Sequence, residues 1–321
     1  MYTYDEFKNY VKDNIMELLP YEYDGAEVKF NDIKKSDGYN YEALMITPNS
    51  DEQPKIVPAL NLTEAFKKYE SGEPIDRIVA DLAEVRVHAK IPGEDIKNQI
   101  MDFQNAKERI FPRLVNTAAN ADYLSDKPHV DIEDLSMMFA VRIHEDPKGF
   151  AEAIIDDNLM EMWGTDPTEI HDAAIGNMAG REPFFANIED VLFSGGVSGM
   201  AHEDFNHIED INPEEYSMPF YVLSNTQKTK GAVMVMDQKT MSQITDKLGE
   251  VYIIPSSVDE VLIVPKAEID DVSHLHDMVC LVNNDAVATK DRLTDHVYEY
   301  DSQNQTLVMA GAPSQGEIQS M

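Results

Sequence analysis

The sequence predicts an α+β fold, with mainly antiparallel mixed sheets that are built from hairpins and flanked by helices. Short apolar segments follow one another with only a polar turn between them, which is typical of antiparallel strand pairs. Other segments repeat their apolar residues every three or four positions, which predicts helices beside those strands. The chain has 321 residues, 43% of them hydrophobic, and can therefore bury a full core.

The first part of the chain predicts a helix, a hairpin and further helices. Thr3-Tyr4-Asp5-Glu6 has the form of a capping box, in which a hydroxyl and a carboxylate satisfy free amides at a helix start. Pro20 ends this first helix. A turn containing Asp37-Gly38 tolerates positive φ and joins two strands. The elements expected after the first helix are strands over residues 26–33 and 41–47 and helices over 63–69, 75–85 and 95–107.

The middle and last parts alternate strands and helices. Asp166-Pro167-Thr168-Glu169 predicts a helix N-cap with proline at the first helical position. Residues 193–216 are glycine-rich and then acidic, and are the best candidate for a boundary. The expected strands are 137–143, 220–223, 232–236, 251–255, 261–265, 296–300 and 306–309, and the expected helices are 158–163, 239–248 and 268–283. We therefore expect three parts over residues 1–110, 111–215 and 216–310, joined in one integrated architecture, and a flexible tail over 311–321.

Charge is the strongest compositional signal. Lys and Arg number 26 and Asp and Glu number 60, which gives a formal net charge of −34. Residues 149–227 hold sixteen acids and one base, Arg181, and so contribute −15. Nucleic acids and anionic membranes are bound by clustered Lys and Arg, so this composition predicts neither as a direct partner. Two interpretations stay open: a soluble protein from an acidic proteome, or an acidic surface that binds a basic protein as a DNA mimic does.

Hydropathy and cysteine content predict a cytoplasmic protein. No stretch approaches the ~20 consecutive apolar residues of a membrane span. The first residues are charged from Asp5 onward and lack the apolar segment of a signal peptide. Cys280 is the only cysteine, which excludes an internal disulfide and a multi-cysteine zinc site and indicates a reducing compartment.

The nearest approach to a metal motif is His202-Glu203-Asp204-Phe205-Asn206-His207. A zincin helix places two histidines four residues apart, on one face. Here the histidines are five apart, which corresponds to roughly 140° around a helix. Two interpretations remain: a loop that gathers His202, Glu203 and His207 around a metal, or a solvated acidic loop. No catalytic residue and no cofactor is assigned.

Other chemical patterns fail on residue type or position. On the helix expected over residues 268–283, His276 falls on the apolar stripe and His274 lies off it, so His276 is interpreted as a core histidine. His144 follows a strand beside acids, where a turn competes with an acid–base role. The glycine-rich segment 194–199 lacks the Lys and the Ser or Thr of a phosphate-binding loop.

Several segments resemble one uncharacterised bacterial family. They are Phe220-Tyr221-Val222-Leu223-Ser224-Asn225, Lys230-Gly231-Ala232, residues 252–261, residues 295–300 and, in the middle part, Trp163-Gly164, residues 170–174 and Asn177-Met178. In these segments the chain resembles the domain of unknown function 5688 family of gut-type anaerobic Firmicutes, and distantly the YtpQ-like proteins. The resemblance spans nearly the whole chain and implies one architecture and an association with mobile elements. It implies no activity, so no catalytic residue is carried over.

Together these observations favour a non-enzymatic binding or accessory protein of a bacterial cytoplasm, with residues 149–227 as an acidic interaction surface. A metal-dependent hydrolase with a loop-built histidine and carboxylate site is one alternative. A homo-oligomeric structural protein is another, since nothing in the composition determines the oligomeric state.

Overall fold

The computed structural model describes residues 1–35, 40–49, 57–89, 94–146, 149–179, 181–197, 208–255, 257–285 and 287–311. Its helices are α1 (Tyr4–Ile15), α2 (Leu62–Glu70), α3 (Ile75–His88), α4 (Glu94–Met101), α5 (Phe103–Ala106), α6 (Ala121–Leu124), α7 (Asp157–Trp163), α8 (Pro167–Met178), α9 (Ile188–Phe193), α10 (Gln238–Leu248) and α11 (Val272–Asp285). Its strands are β1 (Glu27–Ile33), β2 (Tyr41–Thr47), β3 (Ala59–Asn61), β4 (Ile110–Asn116), β5 (His129–Ile132), β6 (Leu135–Asp146), β7 (Gly149–Ile154), β8 (Pro183–Asn187), β9 (Tyr221–Asn225), β10 (Val251–Ile254), β11 (Val261–Pro265), β12 (Tyr298–Asp301) and β13 (Thr306–Met309). The chain forms two compact units, Met1–Asn98 and Gln99–Met321.

The N-terminal unit packs helices against a three-stranded antiparallel sheet with the order β1-β2-β3. The predicted capping box is confirmed, because the Thr3 hydroxyl accepts from the Glu6 N–H and the Glu6 carboxylate accepts from the Thr3 N–H. The expected turn at Asp37-Gly38 lies outside the described residues. The core of this unit includes Phe7, Val11, Ile15, Leu44, Ile46, Leu60, Leu62, Ile78, Val79 and Leu82, all of them buried.

A buried arginine ties α3 to the sheet of this unit. Arg86 is 1% exposed, and its Nε and Nη2 both donate to the carbonyl oxygen of Ile46, at 3.1 and 3.0 Å. Its Nη1 donates to the Tyr23 hydroxyl at 2.9 Å, and its guanidinium carbon lies 4.8 Å from the Tyr23 ring centroid. Because a buried guanidinium needs acceptors, these contacts fix the position of α3 on β2.

The C-terminal unit contains two antiparallel sheets. In the first, the long strand β6 pairs with β4 along one edge and with β5 and β7 along the other. The second sheet has six strands in the order β13-β12-β10-β11-β9-β8. Every strand pair in the described residues is antiparallel, so the predicted α+β class with mainly antiparallel sheets is confirmed.

Helix α8 is held against β4 by both polar and apolar contacts. Its predicted N-cap is confirmed, because Asp166 accepts from the N–H groups of Thr168 and Glu169. The Asn177 side-chain amide donates to the carbonyls of Lys107 and Ile110, at 2.7 and 2.9 Å. The core beneath it includes Ile110, Leu114, Phe139, Val141, Ile170, Ala174, Met178, Leu223, Ile253 and Ile263.

The expected strand over residues 232–236 is wrong, because Gly231–Met236 forms a 3-10 helix. Its residues from 231 to 235 are buried without alternation, and a short continuous apolar run does not distinguish a strand from a buried helix. Gly231 begins this helix at a point where its backbone lies very close to that of Asn225 and Asp259. A Cβ there would lie 2.1 Å from the Ser224 Oγ and 2.5 Å from the Asn225 amide nitrogen, so only glycine fits.

The candidate boundary over residues 193–216 is described only in part. Helix α9 ends at Phe193, residues 198–207 lie outside the described residues, and the 3-10 turns Ile208–Asp210 and Pro213–Glu215 precede β9. The three-part division of the chain stays a prediction, as does the flexibility of the tail, of which only residue 311 is described. Within the described ranges, no helix is both long enough and apolar enough to cross a bilayer.

Candidate anion-binding site

Arginines converge on one face of the first sheet of the C-terminal unit. The chain has seven arginines, and Arg109, Arg113, Arg142 and Arg181 all belong to this region. Strand register explains part of this: Phe111 lies opposite Ala140, Arg113 opposite Met138, and Arg142 opposite Glu152. Since alternate residues share a face, Phe111, Arg113 and Arg142 project from the same side of the sheet.

A β-bulge brings Glu145 onto that face. The pairing of β6 with β7 shifts between Arg142 and His144, so that Arg142 lies opposite Glu152 and Glu145 lies opposite Phe150. In a regular strand, two residues three positions apart point to opposite faces. The extra residue in the bulge restores Glu145 to the side of Arg142, and the Arg142 Nη1 donates to the Glu145 Oε1 at 2.9 Å.

Arg181 completes the arrangement from the end of α8. Its backbone N–H donates to the carbonyl of Met178 at 2.9 Å, which continues the turn beyond the helix. Its guanidinium forms a bidentate pair with Glu145, in which Nη1 donates to Oε1 and Nη2 donates to Oε2 at 2.9 Å. One carboxylate is therefore held by two guanidinium groups.

Aromatic rings hold the guanidinium groups in place. The guanidinium carbon of Arg142 lies 4.0 Å from the ring centroid of Phe111 and 4.2 Å from that of Phe150. The corresponding carbon of Arg181 lies 4.5 Å from the Phe111 centroid. Such contacts combine cation–π attraction with packing of the planar group, and they limit its movement.

The pKa values of the two acids beside Arg142 are shifted in opposite directions. Burial alone would raise the pKa of Glu145, but the hydrogen bonds and charges of Arg181 and Arg142 outweigh it and hold the pKa below its usual value. The neighbouring Glu152 forms a 2.7 Å ion pair with Arg113. There burial dominates and raises the pKa of Glu152, although Arg113 and Arg142 oppose the shift.

An open cavity of about 510 Å³ lies beside these groups. This volume falls within the range of small-molecule sites. Its lining comprises Gln99, Glu108, Arg109, Phe111, Arg142, Ile143, His144, Glu145 and Arg181. The lining thus contains three guanidinium groups and two carboxylates, which together carry one net positive charge in a protein of net charge −34.

One buried donor of this site has no acceptor among the residues that the structure describes. It is the Nε of Arg142, whose Nη1 donates to Glu145. Burial lowers the pKa of Arg142, and the charge of Glu145 partly offsets that effect. A buried donor without a partner costs about 1–3 kcal/mol. A ligand could bond to this Nε only after a side-chain movement, because the atom is closed to solvent.

The loop between β9 and the following 3-10 helix contributes to the same region. Asn225, Thr226 and Gln227 line a small neighbouring cavity that also contacts Phe111 and both site arginines. Further along the loop, Lys228 and Lys230 have φ values of 54° and 52°, which is unfavourable for residues with a Cβ. The Asp259 carboxylate stabilises the loop by accepting from the Lys230 N–H at 2.8 Å.

The residues singled out from sequence are placed differently from this site. His202, Glu203 and His207 lie outside the described residues. His144 lies in β6 and lines the cavity, so the expected turn there is wrong. His276 is only partly buried, and its ring meets that of His296. In the part of the chain that the structure describes, no group of three or more His, Cys, Asp or Glu side chains is arranged to hold a metal ion.

Comparison with known proteins identifies a family. A family of unknown function (DUF5688) matches residues 4–302, which is most of the chain. Neither a curated protein nor a solved structure matches.

Proposed function

The chain belongs to this family of unknown function, and we propose that it is a non-enzymatic binding protein that holds a small anionic ligand in the arginine-lined cavity. The ligand would carry a phosphate or carboxylate group, whose oxygens match the planar donor array of guanidinium. The convergence of Arg109, Arg142 and Arg181 on one cavity is the observation that carries this proposal.

Local charge supports an anion as the occupant. The net charge of −34 repels anions at long range, so an anion site needs concentrated positive charge. Arg109, Arg142 and Arg181 supply that charge around one cavity. The Arg109 side chain is oriented by a 2.7 Å hydrogen bond from its Nη1 to the Gln99 Oε1.

The same geometry favours binding over acid–base chemistry. Glu145 lies in the cavity lining, but its lowered pKa keeps it ionised at neutral pH. An ionised carboxylate paired with two guanidinium groups is a poor proton donor and a weak base. Glu145 is therefore better suited to orient the arginines around a ligand than to transfer protons.

Titration calorimetry with inorganic phosphate, and separately with succinate, tests the proposal. Arg142→Lys keeps the charge but removes Nε and the planar fork, so we expect affinity to fall tenfold or more, since hydrogen bonds to charged groups contribute about 1.5–3 kcal/mol. Arg77→Lys is the matched control, because Arg77 is 72% exposed and pairs only loosely with Glu73 at 3.5 Å. Wild-type protein that binds neither anion, or an Arg142→Lys variant that binds both unchanged, would contradict the proposal.

The acidic region supports a second candidate, a basic protein partner. Asp157, Glu161, Asp166, Glu169 and Asp172 are all exposed along α7 and α8. Such a surface attracts a basic protein in a salt-dependent way. A pull-down from host lysate at low salt tests this candidate, and recovery of no basic or nucleic-acid-binding protein would count against it.

The remaining expectations stay predictions. They are a cytoplasmic location, an association with mobile elements, and the metal-hydrolase and homo-oligomer alternatives. Light scattering on the purified chain measures the oligomeric state directly.

A further inference from the structure

A pair of histidines lies in the C-terminal unit among residues that do not line the arginine cavity. His276 lies on α11 and His296 precedes β12, and their ring centroids are 5.6 Å apart with an angle of 81° between the ring planes. We propose that His276 and His296 form a two-imidazole site for a borderline divalent transition metal such as Zn²⁺, with Asp134 as the positioning residue.

The carboxylate of Asp134 orients His296. Its Oδ2 accepts from the His296 Nδ1 at 2.9 Å and from the Thr294 hydroxyl at 2.6 Å, and its Oδ1 accepts from the Tyr298 hydroxyl. An ionised carboxylate can only accept, so the proton of a neutral His296 resides on Nδ1 and Nε2 keeps its lone pair. Imidazoles that bind metals are oriented in this way by a carboxylate behind the ring.

Asp134 is partly buried and is held in place by three hydrogen bonds, from Thr294, Tyr298 and His296. The backbone turn that presents it is strained, since the preceding residue, Glu133, has a φ of 56°.

The separation of the two rings fits joint coordination. A Zn–N bond of about 2.1 Å and a near-tetrahedral angle would place the centroids of two coordinating imidazoles about 5 Å apart. The observed separation is 5.6 Å, which is close to that value. The His296 side chain is 45% exposed and His276 is partly exposed, so solvent and metal can reach the pair.

The site is open rather than closed. No group of three or more metal-ligating side chains is formed among the described residues, so the two imidazoles leave the other coordination positions to water or to a ligand. The net charge of −34 raises the local concentration of cations. The edge-to-face contact of two uncharged rings, without metal, is the competing explanation of the same geometry.

Zn²⁺ titration of the full chain without an affinity tag distinguishes these explanations, with Co²⁺ absorption as a second readout of imidazole coordination. We expect His276→Ala and His296→Ala each to weaken Zn²⁺ binding at least tenfold, and His274→Ala, on the same helix, to leave it unchanged. Asp134→Asn keeps both imidazoles and should weaken binding by about 10–100-fold. This variant should also alter the Co²⁺ spectrum, which a merely structural role of Asp134 would not do.

A double variant addresses the histidines singled out from sequence. If His202→Ala/His207→Ala abolishes Zn²⁺ binding while His276→Ala/His296→Ala retains it, the proposed pair is wrong. Absence of Zn²⁺ binding by the wild-type chain has the same consequence. Circular dichroism shows whether each variant is folded. If Asp134→Asn does not fold, His276→Ala provides the test, because His276 is partly exposed and its substitution should be tolerated.

Discussion

Arg181 and Glu145 lie 36 positions apart in sequence and meet through two parallel hydrogen bonds, one of them 2.9 Å long. The same carboxylate also accepts from Arg142. Glu145 therefore occupies guanidinium donors that an incoming anion would use. An anion that binds in the cavity would therefore compete with Glu145 for the donors of Arg142 and Arg181.

Glu145→Gln should strengthen the binding of phosphate, because the amide keeps the shape of the side chain but removes the competing charge. We expect affinity to rise roughly threefold to tenfold, in line with the approximately 1 kcal/mol of a partly exposed ion pair. Glu108→Gln, which changes the other carboxylate of the cavity lining, is the comparison. Equal effects of the two substitutions would indicate a general charge effect and not competition by Glu145.

Acid should remove the stabilisation that Glu145 provides. Its pKa in the folded protein lies below the ordinary 4.5, so its contribution is present in full above about pH 4.5 and is lost as the pH falls through the folded value. Glu152 acts in the opposite sense, because its raised pKa means that acid relieves the cost of burying its charge. Urea unfolding of wild type and Glu145→Gln from about pH 6 to about pH 3 should show a stability difference that shrinks with acid. A difference that is constant with pH would contradict this assignment.

Gly231→Ala should destabilise the C-terminal unit by about 3 kcal/mol or more, because overpacking at a backbone contact cannot relax easily. The added carbon would lie 2.8 Å from the Asp259 carbonyl oxygen as well as against Ser224 and Asn225. Gly176→Ala is the matched control, since Gly176 lies in α8 and, apart from nearby backbone of that helix, no atom of a described residue lies within 4 Å of the added carbon. Thermal unfolding should show a gain of about 0.5–1 kcal/mol for the control. Similar losses at both positions would contradict the steric explanation.

Arg86→Ala should destabilise the N-terminal unit by about 2–4 kcal/mol, because it leaves a cavity and removes the donors of two buried acceptors. Those acceptors are the Ile46 carbonyl and the Tyr23 hydroxyl. Arg77→Ala, on the exposed side of the same helix, should change the free energy of unfolding by no more than about 0.5 kcal/mol. Hydrogen exchange measured separately in the two units would show which unit loses stability. A loss confined to the C-terminal unit would contradict this prediction.

The fold class and much of the local structure could be predicted because they depend on short-range patterns. The capping box at Thr3 and the N-cap at Asp166 each lie within four residues, and both are confirmed. The 3-10 helix Gly231–Met236 could not be predicted, because its burial is uniform and its start depends on a contact with the distant residue Asp259. Local pattern carries no information about such a contact.

The candidate site could not be predicted for a related reason. Arg142 and Arg181 are isolated in sequence, and only the fold brings them to one carboxylate. The signal that the sequence offered was the rarity of arginine in an acidic chain. In the structure, four of the seven arginines belong to this one region. The segment containing His202 and His207 drew attention because its residues are adjacent in sequence, and it lies outside the described residues.

The bulge at Ile143 makes the site depend on chain length as much as on residue identity. Inserting one residue into β7 between Ala151 and Glu152 would give Ile143 a partner and return the strand pair to simple alternation, and Glu145 would then move to the face opposite Arg142. Both charged residues would still be present, yet the pair would be gone. Deleting Ile143 would instead leave Glu145 two positions after Arg142 and on the same face. In an alignment of family members, an extra residue in β7 that is not matched by a change in β6 would therefore mark the loss of the site, whereas a one-residue gap at Ile143 would not.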